Sequence, residues 1–464
     1  MGKSKIEKIT SAVTLDRSRQ PKSGKPKDVS FPGFFETKTD SGISVVVIED
    51  RKLPLVTSRF IFKTGGYADD QWGKKYEGLA SLTTELLTKG TESRSASVIA
   101  DEVDYLGASL SSGSDYDAIY ISTYSLKKYF DSVFAIAADV ILNPAFQEAE
   151  LNRIKEQRIN SLLSMSDDGD YISENIFRSE VYKGSPYSLQ SEGSKISVPN
   201  ITTDLAREYY TRYFRPDNLI IAMVGDISPE EAILKINTEL NFKNIEKTLY
   251  PEIKSPENIS GSRVYLYDKK GAVQSSIKVG HQGIKRNNPD YITLSVMNTL
   301  LGGNFSSRIN KNLREDKGYT YGSRSSFNCQ RFSGDFSVST EVKNEVTADT
   351  IKEIIKEIKL LRKEEAGKNE LKSVKNYLTG IFPLQLETPN AVAQKVLSLK
   401  LNDLPSDYYN KFIKEINDVT PEEIHEAADK YLHPDDMIIS VAGNVNEIKD
   451  MMKQFGELSV VEEQ

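Results

Sequence analysis

The sequence predicts an α+β fold built from two copies of one domain. Three observations carry this. Strand and helix signals are interleaved without the strict alternation of a doubly wound sheet. A segment near residue 213 recurs near residue 431. The 464 positions, 38% hydrophobic and 27% charged, supply enough apolar surface for a packed core.

The repeat is the strongest of the three. Tyr213-Phe-Arg-Pro-Asp-Asn-Leu-Ile-Ile-Ala-Met-Val-Gly-Asp226 matches Tyr431-Leu-His-Pro-Asp-Asp-Met-Ile-Ile-Ser-Val-Ala-Gly-Asn444 at a shift of 218 residues. The same shift lays Val46-Val-Ile-Glu-Asp50 on Val264-Tyr-Leu-Tyr-Asp268. Both ends of the unit agree, so each copy begins and ends with a strand. The domains expected are an extended N-terminal arm over 1–35, a first domain over 36–249, a linker over 250–261 and a second domain over 262–464. Two prolines, a glycine and few apolar residues mark the linker, Tyr250 to Gly261.

Ordered structure is expected from about Gly42. The β-branched run Ile43-Ser-Val-Val-Val-Ile48 reads as a strand, and Asp50 to Pro54 turns the chain into a second strand over 55–63. Helices follow at 76–89 and 95–106, the latter closed by Gly107. Asp117 to Tyr124 is a further strand. Phe130, Val133, Phe134, Ile136, Ala137, Val140 and Ile141 then recur at helical spacing until Pro144 stops the helix. A more polar helix is expected over 148–166. In the second copy, Phe305, Ile309 and Leu313 lie about one turn apart, which predicts a helix over Asn304 to Glu315 with all three buried. Gly318 should end it. A strand over Tyr319 to Phe327 would place Tyr319 and Tyr321 on one face.

A formal charge of -7, from 67 acidic and 60 basic residues, gives no reason to expect nucleic-acid binding. The single cysteine, Cys329, excludes an intrachain disulfide and any multi-cysteine metal site, and reads as a small apolar filler in a strand. No run approaches the length of a membrane span. Residues 1–32 lack the apolar core of an intact secretory signal. The compartment expected is periplasmic if a signal has been removed and cytoplasmic otherwise.

Within Gly78-Leu-Ala-Ser-Leu-Thr-Thr-Glu-Leu-Leu-Thr-Lys-Gly-Thr91, the predicted helix is laid out like a metal-binding helix without its ligands. A zinc-peptidase helix of the inverted kind needs His-x-x-Glu-His. That pattern falls on Ser81, Thr84 and Glu85, and the three histidines, His281, His425 and His433, all lie far downstream. Two hydroxyls and one carboxylate cannot hold zinc as two imidazoles do. Glu85 reads as a helix carboxylate facing solvent or a cleft. Arg314 and Tyr321 fall on either side of a tight helix-to-strand turn. From the residues alone they read as an exposed arginine paired with Glu315 or Asp316 and a tyrosine packed on the sheet.

Taken in order, Gly65-Gly66 ahead of Gly78-Leu-Ala, Leu87-Thr-Lys-Gly-Thr91, Pro186-Tyr187, Tyr213-x-x-Pro-Asp-Asn218 with Val224-Gly-Asp226, and Leu301-Gly-Gly through Arg314-Glu-Asp-Lys-Gly-Tyr-Thr-Tyr321 resemble the pitrilysin-like (inverzincin, M16) peptidases, from about residue 35 to 458. The family includes the mitochondrial processing peptidase, the bc1 core proteins and short paired bacterial peptidases. The resemblance implies two domains, each an antiparallel sheet backed by helices, forming a half-clamshell that closes with a second one around an unfolded peptide. It implies a third zinc ligand near Ser161, with Glu156 as the neighbouring carboxylate. It gives Arg314 and Tyr321 a hold on the peptide backbone, with Gly302 and Gly303 as a loop that a peptide could approach. The function implied is a catalytically inactive subunit of a heterodimeric zinc metallopeptidase. No cofactor is expected in this chain, and zinc is expected in a homologous partner. The alternative is a structural or assembly protein like the bc1 core proteins.

Overall fold

Val45, Val46, Val47 and Ile48 are all buried in the strand Ser44–Glu49, because that strand lies inside a six-stranded sheet with packing on both faces. The computed structural model describes residues 30–243 and 245–461. The expected arm therefore lies, as far as residue 29, outside the described residues. From Phe31 onward the described chain is one compact unit. Phe31 itself is buried, with its ring 5.1 Å from that of Tyr409.

The first sheet contains β1 (Phe35–Lys38), β2 (Ser44–Glu49), β3 (Leu55–Phe62), β4 (Ser109–Ser114), β5 (Ile119–Leu126) and β6 (Leu219–Gly225), in the order β1-β2-β6-β3-β5-β4. The second contains β7 (Arg263–Asp268), β8 (Gln274–Gln282), β9 (Ser323–Cys329), β10 (Gly334–Lys343), β11 (Ile438–Gly443) and β12 (Glu457–Val461), in the order β12-β7-β11-β8-β10-β9. Five strands correspond in order, β2-β6-β3-β5-β4 with β7-β11-β8-β10-β9, as a duplicated domain requires; the sixth differs, since β1 precedes the first repeat and pairs antiparallel whereas β12 closes the second and pairs parallel. Each sheet is backed by helices, and its pairings are antiparallel except where the closing strand of a repeat returns beside the opening one. There β2 runs parallel to β6 and β7 parallel to β11, and β12 adds a further parallel edge. A strand that returns after a long helical crossover is free to arrive in either sense.

The register refines the repeat. Val45 pairs with Ile221, and Val264 pairs with Ile439. From Ile221 to Ile439 is 218 residues, whereas from Val45 to Val264 is 219. Val264 therefore corresponds to Val45, and not to Val46 as the constant shift predicts. Val45 and Val47 enter the first core as Val264 and Leu266 enter the second. A one-residue slip would have exchanged the faces.

Two helices cross over between the repeats. Gly169–Val181, from the first repeat, lies on β8 and β11 of the second sheet, where Phe177 and Val181 share a core with Ile438. The buried Lys278 of β8 forms an ion pair with Glu174, and Tyr265 of β7 donates to Glu180 at 2.8 Å. Reciprocally, Pro389–Leu401, from the second repeat, packs on β6 and β3 of the first sheet. Between them, the turn after β9 docks on the first repeat. The Arg331 backbone N–H donates to Asp117 at 2.9 Å, the Arg331 guanidinium to the Lys63 carbonyl at 3.0 Å, and Tyr182 to Asp335 at 2.7 Å.

Candidate functional site

The helix Leu79–Leu87 begins where only glycine fits. Gly78 has φ of 90°, and a Cβ there would stand 2.6 Å from the Gly193 backbone. The buried Asp69 carboxylate accepts from the backbone N–H groups of Gly78 at 2.8 Å and Ala80 at 2.9 Å, at the positive end of the helix. Burial pushes its pKa well up, against the pull of those donors. Leu79, Leu82, Leu86 and Leu87 enter the core, which leaves Ser81 and Glu85, one turn apart, on the more open face.

That face is already occupied by a cation of the protein's own. Arg158, on the helix Glu148–Met165, donates to the Ser81 hydroxyl at 3.1 Å, to the Glu85 carboxylate at 3.1 Å and to the Glu192 carbonyl at 2.8 Å. The pair is sheltered, with side-chain exposures of 16% for Arg158 and 34% for Glu85. Thr84 is buried and turns its hydroxyl back onto the Ala80 carbonyl at 2.8 Å. Ser161 is exposed and points at the Met165 sulfur, 3.7 Å away. Glu156 is exposed on the same helix.

These residues do not fit zinc. Of the three implied ligand positions, Ser161 is turned to a thioether and Ser81 and Glu85 are engaged by a guanidinium that would repel a dication; Thr84, at the general-base position, is folded away. Among the described residues no group of three or more His, Cys, Asp or Glu side chains could hold a metal ion. Arg158 was not singled out in the sequence. It precedes Ser161 by three residues on the predicted 148–166 helix, so the shared face was readable, but its partner 73 positions upstream was not.

The second set of predicted residues converges on a cleft of about 540 Å³. Gly302, Gly303, Phe305, Tyr321, Arg324 and Tyr377 line it, with Asp170 from the first repeat. The helix expected over Asn304 to Glu315 is broken. A π-helical turn, Thr299–Gly303, ends in extended backbone at Asn304, whose side chain accepts from the Ser306 N–H at 2.9 Å; helix resumes at Arg308 and runs as a π turn through Lys311–Asp316. Ile309 and Leu313 are buried as the periodicity predicts, but Phe305 is 67% exposed. It lies beyond the break and lines the cleft. The Arg314 guanidinium sits 4.3 Å from the Phe305 ring, and no ion pair joins Arg314 to Glu315 or Asp316.

Gly318, at φ of 67°, ends the helix. The strand then starts later than expected, at Ser323, where Asn310 accepts the Ser323 N–H at 2.9 Å. Tyr319 and Tyr321 thus precede the strand and do not share a face. Tyr319 packs on the core, while Tyr321 is 96% exposed at the cleft. The structure therefore unites Tyr321, Gly302 and Gly303, with Arg314 reaching the cleft by way of Phe305. Ser81, Thr84, Glu85 and Ser161 do not line it.

The histidines join neither set. Burial pushes His281 down to about 4, and its neutral Nε2 accepts the His433 backbone N–H at 3.1 Å. Cys329 lies in β9, where burial pushes its thiol up to about 12, so it holds no reactive thiolate.

Comparison with known proteins agrees with this architecture. The family profile described as insulinase (peptidase family M16) matches residues 44–190, and that of the peptidase M16 inactive domain matches residues 200–378. A crystal structure described as a peptidase M16 inactive domain from Pseudomonas fluorescens superposes with a TM-score of 0.82 at 26% identity, covering 88% of this chain and 98% of that one. A Helicobacter pylori protein named non-peptidase homolog YmxG is 24% identical over 409 residues, 87% of this chain and 92% of its own length. A Bacillus subtilis protein named uncharacterized zinc protease YmxG is 24% identical over 374 residues, 79% of this chain and 89% of its own. With two successive M16 profiles laid along two matching sheets, the chain belongs to the M16 peptidase family.

Proposed function

We propose that this chain is a catalytically inactive M16 subunit that pairs with a zinc-bearing homologue and helps to hold the peptide which that partner cleaves. One observation carries the first half: Arg158 takes up Ser81 and Glu85, the positions where a peptidase of this family would keep ligands. A guanidinium supplies positive charge there but no Lewis acidity and no bound water to activate. The name of the Helicobacter relative, a non-peptidase homolog, supports the same reading.

For the second half, Tyr321 stands exposed at the cleft while Arg314 lies against Phe305. Guanidinium and phenol donate to carbonyls without selecting side chains, so they suit an unfolded peptide and a developing oxyanion alike.

The test is to purify the chain alone, and then together with zinc-bearing M16 homologues from the same genome. The chain alone should hydrolyse no casein or unfolded peptide, and the complex should. In the active complex, Arg314→Ala or Tyr321→Phe should lower kcat/KM by about 10²-fold or more without loss of assembly. Hydrolysis by the isolated chain would refute inactivity. A complex without turnover, indifferent to both substitutions, would favour a structural or assembly role instead.

A further inference from the structure

A second cavity, of about 540 Å³, shares no lining residue with the cleft and lies between the helix Gly169–Val181, the 188–197 segment and the edge of the second sheet at Tyr267 and Val461. Its volume falls within the ~300–1,000 Å³ common to small-molecule sites. The walls are mainly apolar, with Leu162, Ile176 and Ile196 among them, and Ile196 is 64% exposed. A solvent-facing isoleucine beside an open apolar cavity gains by being covered.

The charges around this cavity are unbalanced. Lys74, Lys75 and Arg178 line it, as does Lys195, which has a partner of its own, against the carboxylates of Glu77 and Glu180. Glu77 accepts the Gln190 N–H at 2.9 Å and also feels the charge of Lys74, and Glu180 accepts the Tyr265 hydroxyl at 2.8 Å. Arg178 lies across the rings of Tyr116 and Tyr182, at 4.6 and 5.6 Å. It meets Glu174 at 3.5 Å, and its Nη1 is buried without a hydrogen-bond partner. Lys74 and Lys75 stand side by side on one short turn, Lys74–Tyr76, and both are exposed. A cation-rich rim around an apolar hollow favours a ligand with an apolar body and an anionic head.

We propose that this cavity is a binding site for an amphipathic carboxylate, an acyl chain lying against Leu162, Ile176 and Ile196 with its head group at Lys74, Lys75 and Arg178. The site is independent of the peptide cleft and would stand whether or not the chain serves a peptidase.

The experiment uses the full chain. A dansyl-labelled undecanoate is titrated in, and bound probe is displaced with dodecanoate, dodecanol or dodecyltrimethylammonium. Dodecanoate should displace it best and the ammonium worst. Exchanging both exposed lysines, K74E with K75E, should weaken dodecanoate about tenfold. Ile196→Glu should weaken it comparably, and neither change should alter the circular dichroism spectrum, since all three side chains face solvent. Equal displacement by the ammonium would mean non-specific apolar association and overturn the proposal. So would variants that bind like the parent, or a probe that does not bind at all.

Discussion

At Asp117 a single carboxylate ties the turn after β9 to the first repeat. One oxygen accepts the Tyr187 hydroxyl and the other the Arg331 N–H, and burial pushes its pKa up from 3.8 to about 6. The folded state therefore holds this proton more tightly than the unfolded chain does. That contribution to stability is fully present below pH 3.8 and is lost as pH rises through about 6, a difference on the order of 3 kcal/mol. Asp117→Asn cannot ionise. Its urea midpoint should vary less than that of the parent between about pH 4 and about pH 7, and the variant should gain on the parent as pH rises. Parallel profiles would show that Asp117 does not titrate in this window. Residue by residue, legibility followed distance along the chain. That Ser81 and Thr84 are not imidazoles is plain from the letters alone. That Glu85 is neutralised by Arg158 depends on a contact between two helices, which no local pattern encodes.

Elements were legible where one physical cue dominated. The β-branched run at 43–48, the 3.6-residue periodicity at 130–141 and the positive-φ glycine at 107 led to the strand, helix and stop that are observed. β4 went unread because Ser109–Ser114 is mostly serine, and its order comes from pairing with β5 rather than from its own propensity. The helix over 304–315 misled for the opposite reason: the periodicity was real for Ile309 and Leu313, but Asn304 offered the backbone a competing acceptor. The glycines on either side of that break, Gly302 and Gly318, separate two costs. A Cβ on Gly302 would stand 2.4 Å from the Ser325 hydroxyl and 2.9 Å from its backbone nitrogen. Gly318 meets nothing within 4 Å, but has φ of 67°. Gly302→Ala must push the π turn off β9 and should cost about 1–3 kcal/mol, whereas Gly318→Ala carries only left-handed strain of about 1–2 kcal/mol. Urea unfolding of both variants checks the ranking. Only Gly302→Ala should also displace the cleft wall, read as a changed Tyr321 environment in nuclear magnetic resonance spectra.

At the scale of the whole molecule, the duplication was visible in sequence and the exchange of helices was not. The reason is that a repeat is written in the letters, while the choice of sheet that a helix covers depends on the path of its flanking loops. That choice sets how the protein must fold. Phe177, Val181 and Tyr182 are at most 1% exposed, and they bury that surface against the other repeat. At about 1.5–3 kcal/mol for each large apolar side chain, their loss would remove a large part of the roughly 5–15 kcal/mol that stabilises a typical domain. The same holds for Val392, Ala393 and Val396 on the reciprocal helix, which are also buried. Neither repeat should therefore fold alone. Produced separately, with a break between Lys254 and Ser255, each half should lack a cooperative thermal transition and expose apolar surface to a dye such as ANS. Mixed, or produced as a full chain and nicked at the same bond, the halves should remain associated and unfold in one transition. The nick is tolerable because the segment there has no regular structure, while Glu257 stays bound to Lys183 at 2.8 Å. Two independent transitions from the isolated halves would show that the exchanged helices decorate domains already stable without them.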